Sequence, residues 1–580
     1  MSETPDNSTF RERVLAHPEP AMIWLAGALL LFLPQASAFF ETLMLWGDMI
    51  NPLTTGSLEI MTWYVDTMFG SLGTAGGYIM TGIGGFLLIA VVTVIVKAFF
   101  IPFSIVEILG LEDLPVSADL LERTIVGAVV GIVGLVLVFT PAGPAIESLF
   151  AMLADFGSFF ADRWTLLSRD VIPNAGFQPP DSATGEYPTG PLGPYHGTFL
   201  GIEPAIAWGL RVVLVYVYAF AWIAWAWFGY KTFRRHYRYA DWTPRDDMID
   251  RFRTHRWGQF GFVVVAMFLI MAIFAYPLGP VTIDENIREP YSFSVNYTEN
   301  GEVKEVTHGG ANRDSISQGN PDRNVGPMTY DDFGRFHPIG TTENGKDLWT
   351  FMTMGSRVSL FIGLLAVAGG GFIGAALALV TAYYGGLTDL IVVVTSDGIQ
   401  SMPSLLLLIL LGTVLADHPI SNVYNGALIL VLIFIFINWT GMWRALRGPA
   451  LQVSEEEWVD AAKSYGQRPT TTMRKHMAPY ILGYLLVYGS LNLGGIIISV
   501  AALSFLGLGI EPPVPEWGRM VNSGQPYVAS VSWHIATIPG IMVVLVVTGF
   551  NAFGDGIRDA IDPQSEGASD EGAAAAGGGG

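Results

Sequence analysis

Apolar residues run through this chain in long stretches separated by short polar ones. That pattern suits neither a half-buried strand nor an amphipathic surface helix. Ten stretches approach the ~20 apolar residues that a bilayer-spanning helix needs. They fall near 22–40, 77–98, 124–144, 206–229, 258–277, 357–383, 389–415, 425–445, 480–502 and 535–555. The prediction is an all-α polytopic membrane protein. Between Tyr383 and Asp389, Gly385-Gly386 predicts a turn. Gly370 and Gly374 have the small-xxx-small spacing that lets two helices approach closely. Pro403 predicts a bend, tolerated in a span when neighbours satisfy the freed carbonyl.

One polar island is built differently from the other connections. Residues 454–479 read SEEEWVDAAKSYGQRPTTTMRKHMAP. Ser454 with Glu457 has capping-box spacing, which predicts a helix start at Ser454. Trp458, Ala461, Ala462 and Tyr465 then share one helical face. Gly466 supplies a left-handed stop, and Pro469 suits the first turn of a second short helix. Small alanines admit a partner closely, and Trp458 can anchor in a partner's pocket. Three consecutive glutamates, Glu455 to Glu457, favour a protein partner over anionic headgroups and suit a helix N-terminus.

Composition agrees with the membrane reading: 51% of the 580 residues are hydrophobic and 14% charged. There is no cysteine, so disulfides and thiolate metal sites are excluded. The formal charge of -21 argues against a nucleic-acid partner. An acidic, cysteine-free chain of this kind has a halophile-like composition. Basic residues set the orientation. With the N-terminus inside, 19 of the 30 Lys and Arg lie on the cytoplasmic side and 10 outside. Six of those ten belong to the long loop 278–350, which counts little. The cluster from Lys231 to Arg256 dominates. It places 454–479 and both termini in the cytoplasm. Arg11 and Arg13, the apolar run from Met22 and Ala36-Ser37-Ala38 have the form of a signal peptide. The acidic Glu3, Asp6, Glu12 and Glu19 favour a retained helix instead. The tail 564–580 is low-complexity and predicts disorder.

Chemical motifs are sparse. Residues 340–347, GTTENGKD, come close to a phosphate-binding loop, but Asp347 stands where a magnesium-binding hydroxyl is needed. No metalloprotease or serine-hydrolase motif is present. Polar residues within spans are Asp397, Gln400, Ser401, Asn438 and Asn492. Such residues usually face a cavity or a neighbouring helix, so they are candidates for a translocation path.

Four blocks carry a family resemblance: 337–367, 388–411, EWVDAAKSYG with Pro479 downstream, and ALSFLGLGIEPPVPEWGRMV followed by FNAFGDGIRDAIDP. In this order they resemble the second permease subunit of ABC importers for dipeptides, oligopeptides and nickel (the DppC/OppC type), over about Asp250 to Pro563. The resemblance implies a six-helix, MetI-like core at 241–563 with the outer loop 278–350. It implies a cytoplasmic EAA loop at 454–479, in which Glu457, Trp458, Asp460, Ala461, Ala462, Tyr465, Gly466 and Pro479 couple to an ATPase. Asp460 stands where the family usually has Glu. Implied partners are a second permease subunit (DppB/OppB-like), two ABC ATPase subunits holding ATP and magnesium, an extracellular substrate-binding protein and the bilayer. The chain itself would bind no cofactor and catalyse no reaction. Residues 1–240 have no counterpart in the common form and predict about four extra spans. Alternative classes are a secondary transporter or channel without an ATPase and, chiefly for residues 1–240, a membrane enzyme or scaffold. Peptide, nickel and sugar all fit as cargo.

Overall fold

A computed structural model describes residues 10–35, 166–179, 190–238, 243–416, 421 and 425–561. Apart from Ser421, these belong to one compact unit. The spans expected at 77–98 and 124–144 and the tail 564–580 lie outside the described residues.

Six described helices are long and apolar enough to cross a bilayer. In chain order, with one shorter helix and several connecting ones, the elements are α1 (Glu19–Phe32), α2 (Pro204–His236), α3 (Pro244–Thr254), α4 (Arg256–Ile273) and α5 (Leu348–Tyr384). They continue as α6 (Gly386–Gln400), α7 (Ser404–Val414), α8 (Ala427–Ser454), α9 (Glu457–Ser464), α10 (Pro469–Phe505), α11 (Trp517–Gly524) and α12 (His534–Ile561). The six are α2, α4, α5, α8, α10 and α12, and the pair α6–α7, bent by 85°, supplies a further pass if counted as one.

The stretch 22–40 was expected to span. Its helix, α1, has 14 residues and ends in a tight turn at Leu33–Gln35. At ~1.5 Å per residue its described length is shorter than the ~30 Å hydrocarbon core, and residues 36–40 of the expected stretch lie outside the described residues. It lies antiparallel on α2 through a reciprocal exchange. Trp24 Nε1 donates to the Trp225 carbonyl and Trp225 Nε1 to the Trp24 carbonyl, each at 3.2 Å. Each indole fills the notch of a glycine, Trp225 beside Gly27 and Trp24 beside Gly229. Tyr237 and Tyr218 hydroxyls donate to the carbonyls of His17 and Leu31 at the two ends.

Glycine seams hold the core together. Gly374 packs on Met442 and Trp443, and Gly370 on Asn438 and Trp439, so the predicted small-xxx-small pair is the crossing of α5 with α8. Gly258, Gly261, Gly549 and Gly556 make an equivalent crossing of α4 with α12. At the α5–α6 junction Gly385 and Gly386 have φ of +59° and +53°, the predicted turn. The Pro403 break is sharper than a kink because Pro403 caps a new helix in extended backbone.

One end of the bundle is closed by an irregular cap, residues 278–347. It contains the hairpin β1 (Ser294–Glu299) with β2 (Glu302–Thr307) and the short pair β3 (Thr329–Tyr330) with β4 (Phe336–His337). Residues 166–179, residues 190–201 and the start of α2 lie against this cap. Arg211, fully buried, ties the pieces together by donating to the carbonyls of Ile172, Pro277 and Gly279 at 2.7–2.8 Å.

Candidate coupling site and transport core

The island 454–479 lies at the opposite end from the cap. Ser454 does not open a helix there. It closes α8, and its hydroxyl donates to the Leu451 carbonyl at 2.8 Å. With that side chain committed to the preceding turn, the next helix starts only at Glu457, behind Glu456 in extended backbone. Glu457 and Asp460 then lie in the first turn of α9, where negative charge complements the exposed N–H groups.

The stop is as expected. Gly466 has φ +73°, its N–H donates to Lys463 O at 3.0 Å, and Gln467 N–H donates to Ala462 O at 3.0 Å. This is the paired six-to-one and five-to-two bonding of a Schellman motif. Pro469 opens a helix in its first turn, also as expected. That helix is not short, however. It passes through a π turn at Met473–Met477 straight into the α10 span. The wider turn ends just before Pro479, whose ring would clash with a carbonyl four residues back in a regular helix. Pro479 therefore lies within a bundle helix, not in a free linker.

The two faces of α9 have separate uses. Val459 is 0% exposed, in one apolar cluster with Trp443, Leu446, Val453, Met477 and Ile481. Trp458 is 49% exposed and Tyr465 92%, and Glu457, Asp460, Ala461 and Gly466 are exposed with them. Ala462 is half-buried and turned partly toward the bundle. Lys463 braces the joint. Its Nζ lies 5.3 Å from the Tyr383 ring and 3.3 Å from Asp460 Oδ1. Beside it, Arg447 grips Asp389 with two bonds, Nε to Oδ1 at 2.8 Å and Nη2 to Oδ2 at 2.5 Å. This ties the end of α8 to the first turn of α6. Sequence reading missed Val459, Lys463 and this pair; the flanking charges of the Gly385-Gly386 turn were the available signal.

The path candidates divide. Asp397, Gln400 and Ser401 were expected inside a span but are exposed on α6. Asp397 pairs with Arg444, and both side chains are more than half exposed. Gln400 and Ser401 bond locally, to Ser396 Oγ and the Gly398 carbonyl. The cause is the position of α6 at the rim: α5 and α8 cover only one side, leaving Leu387, Leu390, Ile391 and Val394 exposed too. Asn438 is half-buried on α8 beside Gly370, its Nδ2 without a hydrogen-bond partner. Asn492 is half-buried on α10.

The cap holds the charge network of the other end. Asp331 Oδ2 accepts from Arg335 Nε at 2.7 Å. His337 bridges two carboxylates, Nδ1 to Asp347 Oδ2 at 2.9 Å and Nε2 to Asp331 Oδ2 at 3.4 Å. Asp347 in turn caps α5 by accepting from Thr350 N–H at 2.7 Å. The phosphate-loop lookalike is thus an ordinary tight turn. The space beside Gly345 is filled by the Asn312 carbonyl, and the aspartate is a helix cap. Burial raises the Asp331 carboxyl, but bonds from His337 and the Arg335 charge outweigh it and hold it well below the usual range. Burial lowers His337, yet the bonds to Asp331 and Asp347 leave it raised. His308 falls to about 4, chiefly through burial and then the Arg335 charge.

Two family models match this architecture. The binding-protein-dependent transport system inner membrane component covers residues 370–566. The N-terminal transmembrane domain of oligopeptide transport permease C covers 243–294. The dipeptide transport permease DppC of Alkalihalophilus pseudofirmus is 36% identical over 228 residues, which is 39% of this chain and 72% of that protein. The chain belongs to the permease family of binding-protein-dependent ABC importers. Other relatives of this permease are the oligopeptide permease OppC of Bacillus subtilis and the probable D,D-dipeptide permease DdpC of Escherichia coli. The first is 29% identical over 55% of this chain and 89% of the relative. The second is 36% identical over 40% of this chain and 74% of the relative. Residues 1–242 lie outside both family models. The permease is therefore a transmembrane subunit of an ATP-driven importer, in which five of the six long helices and the bent pair α6–α7 follow residue 243, and the readings as a secondary transporter or channel are set aside.

Proposed function

We propose that the permease carries peptides or similar solutes and receives the force of ATP hydrolysis through α9. The observation that carries this reading is the division of α9 into two faces. Val459 locks one face to α8 and α10, while Trp458 and Tyr465 stand free on the other. A large exposed tryptophan on a helix fixed from behind is suited to anchoring in a partner's cleft. Movement of α9 would then be passed directly into α10, because the Schellman stop and Pro469 leave a joint of only a few residues.

In this reading the α9 end faces the cytoplasm, as the basic residues of α2 to α4 predict, and so do both termini. The antiparallel packing of α1 supports that side for residues 10–17. The cap end faces outward and meets a substrate-binding protein. The exposed Leu and Val face of α6–α7 fits a second permease subunit. ATP and magnesium belong to two partner ATPases, and this chain does no covalent chemistry. Names of the relatives supply the peptide class. Reconstitution with candidate ATPases tests the reading: Trp458→Ala should abolish transport-coupled hydrolysis while the permease stays folded. A labelling experiment that found position 465 outside the cell would overturn it.

A further inference from the structure

The cap end carries a cavity away from the α9 end of the bundle. It has a volume of about 440 Å³ and is open to the surface. Two parts of the chain far apart in sequence build it. Residues 176–179 and Tyr195 come from the segment before α2, and Tyr297, Thr298 and 330–334 come from the cap. The walls are held firmly. Phe177 and His196 exchange backbone hydrogen bonds at 3.1 and 2.8 Å. The Tyr330 hydroxyl donates to Glu203 Oε1 at 2.7 Å and accepts from Ala205 N–H at 3.2 Å. The Tyr297 and Phe333 rings meet edge-on with centroids 5.0 Å apart.

The lining is aromatic and acidic. Phe177, Tyr195, Tyr297, Tyr330 and Phe333 supply rings, Asp331 and Asp332 supply carboxylates, and no Lys or Arg lines the space. Asp331 is already matched by Arg335 and His337. Asp332 is exposed and makes no ion pair among the described residues. Lys304, opposite Tyr297 on the hairpin, is held by Glu299 at 2.8 Å. An anion would be repelled by Asp332, with no Lys or Arg in the lining to offset it, whereas a cation would be attracted by the same carboxylate. A cation over ring faces is attracted by the aromatic quadrupole, more so when a carboxylate stands beside it.

We propose that this cavity binds the ammonium head of a small organic cation, with the rings as walls and Asp332 as counter-charge. It gives the residues before α2 a recognition role that the six-span core alone could not supply, since neither part closes the cavity by itself. The site is independent of the transport reading and is measured by binding alone.

The test is calorimetric titration of the purified full chain, in detergent at low salt, with choline and with its neutral isostere 3,3-dimethylbutan-1-ol. Choline should bind, and the isostere should bind at least about tenfold more weakly. Asp332→Asn should weaken choline by about tenfold with an unchanged melting temperature, and Phe333→Leu should weaken it by about tenfold in a chain that stays folded. Equal binding of both probes, undiminished choline binding by Asp332→Asn, or no choline binding by the folded native chain would overturn the proposal.

Discussion

Replacing Val459 and its neighbour Trp458 separately distinguishes anchoring of α9 from its use. Val459→Ala removes two methyl groups from a side chain with no exposure, packed among Trp443, Leu446, Val453, Met477 and Ile481. At ~0.8 kcal/mol per buried methylene-sized group the transfer loss is about 1.6 kcal/mol. An unfilled cavity raises this to about 2 kcal/mol. The undocked fraction of α9 should then rise by roughly 30-fold. Trp458→Ala touches a side chain that is 49% exposed, so the docking equilibrium should barely move. Hydrogen exchange over 457–466 reads the first effect in the isolated permease. Transport-coupled ATP hydrolysis in the assembled importer reads the second. Val459→Ala should speed exchange and weaken coupling in part. Trp458→Ala should leave exchange unchanged and abolish coupling. If Trp458→Ala accelerates exchange as much as Val459→Ala, or if it couples normally, the division of α9 into an anchored and a presenting face is wrong.

Gly466→Val places a β-branched residue at φ +73°, where the left-handed backbone costs it about 2 kcal/mol, so exchange at the end of α9 should rise without loss of the core spans. Gly345→Ala sets a Cβ 1.7 Å from the Asn312 carbonyl oxygen, which the cap cannot absorb; limited proteolysis should show residues 278–347 cut while the spans stay protected. Gly27→Leu drives a side chain into the Trp225 ring and should release α1 from α2, seen as fast exchange across residues 19–32. His308 faces Arg335, Glu285, Arg169 and Asp331, and because folding lowers its pKa to about 4, cap stability should be lost as pH falls from about 6.5 toward 4. His308→Asn should flatten that acid limb. His337, raised in the fold, acts oppositely: its contribution is complete below about 6.5 and is lost as pH rises from there through its folded value, so thermal melts of the cap at both extremes separate the two.

What the chain made legible was whatever depends on neighbours in sequence. Apolar runs located the core spans but not all their ends, since α5 starts nine residues and α10 eleven residues earlier than the apolar run, and α8 continues nine residues beyond it; Gly466, Pro469 and the Gly385-Gly386 turn act through local backbone preference alone. The capping box at Ser454 failed because the same hydroxyl has a nearer acceptor in the helix it ends, and a spacing rule cannot say which helix owns a residue. Periodicity correctly grouped Trp458 and Tyr465, yet it could not show that Val459 is the anchor, since that depends on Met477 and Ile481 arriving from α10. The same limit explains Asp397: an apolar stretch looks interior whether a helix is ringed by neighbours or stands at the rim, and only the packing of α5 and α8 on one side of α6 reveals the rim. The cap was illegible for a stronger reason. Asp347 and Asn286 exchange bonds across 61 positions, and His337 joins carboxylates six residues before it and ten after it. Buried networks of this kind leave no periodic trace, because each member needs only one partner at one point in space. The aromatic cavity belongs to the same class, with walls more than a hundred positions apart. Contacts of residues 166–179 and 190–205 with the cap are therefore where structure adds most to the reading of this permease, because these residues lie outside both matched family models.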